Sequence, residues 1–266
     1  MSLFIDILMR TVVETVYLTG IIILIGFFLG VLRNSSIKNF QRSFGIRAVM
    51  VTAFIGVPVH ELSHAIAALL FRHHINDIKL LQKPDGNGVL GYVNHSYNTR
   101  SVYQEIGNFF IGIAPIFGGI ASIIVLMRFL MKDAYDKFVQ IIISNFHITV
   151  LNEEMLKKIM SSYLGLVKSI FSFSNFKNPC FYVFIFLAIC ISSHISLSSA
   201  DIKGASRGLA IIFIILFLLN VFGLINNISK FNIEKYNIFI TSFLFIAVIL
   251  SLITFIISLF FVIIKR

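Results

Sequence analysis

Residues 238–264 run without a single charged side chain. As a helix, at about 1.5 Å per residue, such a run reaches roughly 40 Å, more than the ~30 Å of hydrocarbon in a bilayer. Hydrocarbon offers no hydrogen-bond partners, so a lone segment of this kind satisfies its backbone only as a helix. Shorter apolar runs follow the same logic at 12–32, 48–71, 107–131, 179–198 and 209–228. The expected fold class is therefore an all-α polytopic membrane protein with about six transmembrane helices. The composition agrees, since 58% of the 266 residues are hydrophobic and only 13% are charged, against about a quarter charged in soluble domains. Residues 12–32 are too long for a signal-peptide core and carry Glu14, so they read as a retained span.

The formal net charge of +10 fits short basic loops at anionic lipid headgroups. No nucleic-acid module accompanies it, so no nucleic-acid partner is expected and the lipid bilayer is. Cys180 and Cys190 both fall in or at the edge of one apolar run, which implies neither a disulfide framework nor a thiolate metal site. Six spans would set both termini on one side. After the second span, residues 75–81 and 88–93 are short, partly alternating runs around a turn-rich Gln82-Lys83-Pro84-Asp85-Gly86-Asn87. They read as a small β-hairpin over 75–95. Pro115 is expected to kink or break the third span, and Gly112, Gly118 and Gly119 suit close helix packing. Residues 132–178 read as an amphipathic, interfacial connector.

The second span contains His60-Glu61-Leu62-Ser63-His64, the pattern H-E-x-x-H. Residues four apart share a helix face about 6 Å apart along the axis, so His60 and His64 can offer nitrogens to one metal ion. Glu61 stands where a zinc peptidase keeps the carboxylate that activates water. A histidine on a helix is more often structural than a ligand. Here, however, three ionisable side chains lie in an apolar run, where each is costly unless paired or used.

A catalytic zinc site takes three protein ligands and keeps one position open. Asp201, read as the end of the fourth span, is the leading third ligand, with Lys203 near enough to stabilise its charge. His194 is the main rival, as a ligand or as a hydrogen-bond partner. Glu105, His73, His74 and His95 are further candidates.

These features resemble the site-2 protease family of intramembrane zinc metalloproteases. The resemblance covers mainly residues 46–120 and 190–208. It rests on H-E-x-x-H within a span, a short β-rich loop, the interrupted stretch around Gly112-Ile113-Ala114-Pro115 and a downstream aspartate. It implies a catalytic core within 46–208, preceded by a first span and basic connector at 1–45 and followed by two spans at 209–266. It further implies one Zn2+ per chain on His60, His64 and Asp201, with Glu61 as general base. The third motif departs from the family's usual Leu-Asp-Gly: here it reads Ala200-Asp201-Ile202-Lys203-Gly204. Asn108 and Pro115 echo the family's middle-helix element only loosely, and no PDZ or CBS module is recognisable.

The expected activity is hydrolysis of a membrane-embedded or membrane-associated peptide, in a multi-pass protein of a bacterial cell membrane. The hairpin edge could pair with an unwound substrate as an added strand. The alternative is a transporter, or a peptide-export or immunity component, that uses the His/Glu/Asp cluster as an ion site. The absence of an internal repeat counts against transport.

Overall fold

The first apolar run and the basic stretch that follows it fold into one continuous helix in the computed structural model, which describes residues 2–86, 88–146, 153–224 and 233–265. This helix, α1, spans Ser2–Phe44. The expected basic connector after residue 32 is thus helical. It has a buried face to satisfy: Ser36 Oγ donates to Leu32 O at 2.8 Å, and Asn39 Nδ2 donates to Ser258 Oγ at 3.0 Å. Gly45 then turns the chain at φ 71°, in the left-handed region that favours glycine. Helix α2 follows at Ile46–Leu70.

The hairpin is present. Strand β1 (His74–Lys79) pairs antiparallel with β2 (Tyr92–Ser96), with Ile78 opposite Val93. Gln82 N to Leu90 O at 2.7 Å extends the ladder toward the turn. Helix α3 (Val102–Leu130) opens on Ser101, whose hydroxyl accepts from Gln104 N. It runs through Pro115 as one helix, so the break that Pro115 was expected to make is absent. Two amphipathic helices follow, α4 (Lys132–Phe146) and α5 (Glu153–Ile170). They bury Phe138, Tyr163 and Leu166 against the core formed by α3 and the last helix.

The expected fourth span departs most from the sequence reading. A 3-10 turn at Asn175–Lys177 leads into α6, which covers only Pro179–Ser192. At about 21 Å it is too short to cross a bilayer core. Backbone without regular structure follows, and α7 starts at Ser199 and ends at Val221. Helix α8 (Ile233–Ile264) closes the chain. Among the described residues, five helices are long and apolar enough to cross a membrane: α1, α2, α3, α7 and α8. This fits a multi-pass membrane protein.

The expected shared side for both termini does not hold. Tyr236 hydroxyl donates to Leu18 O at 3.3 Å, Asn39 meets Ser258, and the Phe44 and Phe261 rings lie 5.1 Å apart. Residue numbers rise together along both helices, so α1 and α8 run parallel. The chain's two ends therefore lie at opposite ends of this pair. Helix α7 runs against α1, since Asn220 near its end donates to Thr11 Oγ1 and Glu14 Oε2.

Candidate metal centre

On α2 the H-E-x-x-H spacing does what helical geometry requires, with the two imidazoles on one face and ring centroids 4.9 Å apart. Each ring is fixed by its outer nitrogen. His60 Nδ1–H donates to His194 O at 2.9 Å, and His64 Nδ1–H donates to Ile111 O at 2.8 Å. Both carbonyls are available for local reasons. Helix α6 has ended at Ser192, so the His194 carbonyl is not consumed by a helical ladder. Ile111 stands four residues before Pro115, whose missing N–H is the one that would have bonded it.

With Nδ1 protonated on both rings, each Nε2 offers a lone pair when its ring is neutral. They point at each other across 3.2 Å. Asp201 Oδ1 lies 3.1 Å from His64 Nε2, and Asp201 Oδ2 lies 3.8 Å from His60 Nε2. A proton on His64 Nε2 shared with Asp201, or a metal ion among the three atoms, offsets the repulsion between their lone pairs. A tetrahedral ion bound at ~2.0–2.1 Å holds its ligand atoms ~3.3 Å apart, and the donor atoms here all lie within 4.8 Å of one another. His60, His64 and Asp201 thus form a group that could hold a metal ion.

Asp201 reaches this position from the first turn of α7, not from the end of the preceding span as expected. It forms a capping box with Ser198. Ser198 Oγ accepts from Asp201 N at 3.1 Å, and Asp201 Oδ2 accepts from Ser198 N at 2.6 Å. The signal is in the sequence, since Ser198-Ser199-Ala200-Asp201 before an apolar run is an S-x-x-D helix start. Close packing of α3 on α7 completes the approach: a Cβ added to Gly112 would lie 2.6 Å from Asp201 O.

The rivals fall elsewhere. The His194 side chain is not in the group; its Nε2 lies 3.3 Å from Thr52 Oγ1. The Thr52 hydroxyl donates to Val49 O and so accepts from that ring. Glu105 accepts from Asn108 Nδ2 at 3.3 Å. His73 Nε2–H donates to Gln104 O at 2.9 Å, so its Nδ1 accepts from His95 Nδ1–H at 3.0 Å. Burial, then the neighbouring His73 and His64, hold the His95 imidazole below its ordinary value of 6.5. His74 is exposed. Lys203, expected beside Asp201, is exposed and forms no ion pair among the described residues.

A cavity of about 690 Å³ opens over the group, lined by Glu61, His95, Asn108 and residues 88–93 of the hairpin loop. Glu61 is buried and makes no hydrogen bond among the described residues. The hairpin loop presses directly on it, because a Cβ at Gly91 would lie 3.0 Å from Glu61 Cγ and 2.7 Å from Val57 Cγ1. Arg33, from α1, also lines this cavity; the sequence reading left it in a connector. No family model matches the chain, and neither a curated protein nor a solved structure matches it.

Proposed function

We propose that this chain is an intramembrane zinc metalloendopeptidase of the site-2 protease kind, acting on a membrane-embedded or membrane-associated peptide. The observation that carries the reading is the convergence of three potential ligand atoms, His60 Nε2, His64 Nε2 and an Asp201 oxygen, beside a Glu61 side chain with no hydrogen bond among the described residues. The donor chemistry suits zinc, which takes nitrogen and carboxylate ligands in a four-coordinate site. Bound there by His60, His64 and Asp201, zinc would supply Lewis-acid polarisation of the scissile carbonyl and a more acidic attacking water.

The chain's own residues supply the rest. The Ile111 and His194 carbonyls hold both imidazoles in the tautomer that turns Nε2 inward, the arrangement that orients metal-binding histidines. The Glu61 carboxylate takes a proton from the attacking water and delivers it to the leaving amide nitrogen. Residues 88–93 border the cavity, and an extended peptide lying beside them gains main-chain hydrogen bonds in place of those it lost on unwinding. Burial within the bundle limits water to the cavity.

The test is Glu61→Gln in purified, detergent-solubilised protein. The variant is expected to keep about one zinc per chain, because no ligand has changed. Cleavage of a co-reconstituted transmembrane peptide is expected to fall by roughly 10²–10⁴-fold. Wild-type levels of cleavage in the variant would remove Glu61 as the base. Substrate flux across vesicles without any cleavage would turn the reading to transport.

A further inference from the structure

Arg33 is a cation in a place that does not tolerate an idle one. Gly45 forms the turn between α1 and α2, with Arg33 twelve residues before it and His60 fifteen after it. At helical rise the two stand within roughly 5 Å of the same depth, which is how a side chain from α1 comes to line the cavity over the metal group. Its Nε is buried and has no hydrogen-bond partner among the described residues. Asp201 is close enough to act on it electrostatically, yet the two form no ion pair. The Asp201 oxygens are turned instead to His60, His64 and Ser198 N.

A guanidinium with a buried, unbonded N–H is costly in an apolar bundle, and intramembrane charges of this kind line up with bound ligands or ion paths. When a divalent metal is held in the site, Asp201 and Glu61 balance it, and Arg33 leaves one positive charge over. The planar fork of a guanidinium matches a carboxylate through two parallel N–H···O bonds. Much of the remaining wall is apolar, with Val57, Val89, Leu90, Val93 and Ile111. The chemistry that completes this cavity is an apolar peptide carrying a carboxylate.

We propose that Arg33 is a carboxylate-binding residue, so that the peptide accepted here bears an acidic group next to the bond presented to the metal group. The inference deepens the protease reading and rests on it. The carboxylate is either the free C-terminus of a short peptide or an Asp or Glu side chain within a longer one.

Binding is measured on zinc-loaded wild-type protein in detergent, with probes N-methylated at every peptide bond so that no turnover intervenes and the Glu61 charge is kept. The probes are three dye-labelled, N-acylated apolar tetrapeptides: one with a free C-terminal carboxylate, one C-terminally amidated and neutral, and one amidated with an internal Glu. At least one acidic probe is expected to bind about tenfold or more tightly than the neutral one, and which of the two does so names the source of the carboxylate. Adding Arg33→Gln is expected to bring all three within about twofold, and Arg33→Lys, which keeps charge but loses the fork, to leave an intermediate preference.

Equal binding of acidic and neutral probes to the Arg33 protein overturns the proposal, as does failure of all three to bind. A preference that survives Arg33→Gln also overturns it and assigns the carboxylate to the metal. If Arg33→Gln does not fold, the Arg33→Lys protein and the unsubstituted comparison decide. Wild-type cleavage with no acidic preference would leave the protease reading standing and remove Arg33 from recognition. An acidic preference without any cleavage by wild type would do the reverse.

Discussion

His64 is held by an absence. Proline at 115 withholds the N–H that would bond Ile111 O, and the His64 ring takes that carbonyl at 2.8 Å. Pro115→Ala restores the competing N–H one helical turn below, while the helix around it gains a better former. The variant is expected to fold at least as well and to bind zinc about 10- to 100-fold more weakly, the usual cost of disturbing a ligand's outer hydrogen bond. Competition with a chromophoric chelator reads this directly, and unchanged affinity would show that the Ile111 carbonyl does not orient the ring. At this scale the sequence was legible where side chains do the work. The H-E-x-x-H spacing names His60, Glu61 and His64, and ligand count leads to Asp201. The supports were not legible, because Ile111 and His194 contribute carbonyls, and a backbone group leaves no residue-type signature. Arg33 was missed because a basic residue after an apolar run looks like the start of a loop.

The elements divide along a similar line. The β1–β2 hairpin was readable from alternation and turn residues, since a hairpin's signal is local, although its second strand starts at Tyr92 and not at Gly88. The stretch 179–198 was not, because hydropathy sees a continuous apolar run and cannot sense that the helix stops at Ser192. Just downstream, Ser198 and Asp201 satisfy each other's backbone N–H groups and start a new helix. Non-helical backbone at this depth is stable because it faces protein and cavity. The hairpin's docking is pH-dependent through His95. Its imidazole titrates below the ordinary 6.5 in the folded chain, so between these values the opened hairpin binds a proton that the docked one does not. Stability of the docked hairpin is therefore complete above 6.5 and falls as pH drops through that window. Proteolytic nicking within 74–96 is expected to rise steadily as pH falls below 6.5, and His95→Gln is expected to flatten that rise. A pH-independent rate in the wild type would dissociate His95 from docking.

For the whole molecule, the parallel run of α1 and α8 decides the topology. A chain that enters α1 at one end of the bundle and leaves α8 at the other is expected to set its termini on opposite faces of a membrane it crosses. The expected equal placement of the termini had counted 179–198 and 209–228 as two crossings; the break before Ser199 and the direction of α7 make them one return. This reassigns the basic residues. Lys38, Arg42 and Arg47 flank the α1–α2 turn, and Lys265 joins them there, its Nζ donating to Ser43 O and lying 4.5 Å from the Phe44 ring centre. With Arg128 in the last turn of α3 and the six lysines between α3 and α7, this end gathers eleven of the 22 Lys and Arg, against six toward the other end: Arg10, Arg72, Lys79, Lys83, Arg100 and Lys235. Cytoplasmic segments carry the excess of Lys and Arg, so the C-terminus is expected to be cytoplasmic and the N-terminus external. A reporter that is active only in the cytoplasm should work when fused after residue 266 and fail when fused before residue 1. Activity from both fusions, or from neither, would contradict the parallel pairing. Activity from the N-terminal fusion alone would keep the pairing and reverse the orientation drawn from charge.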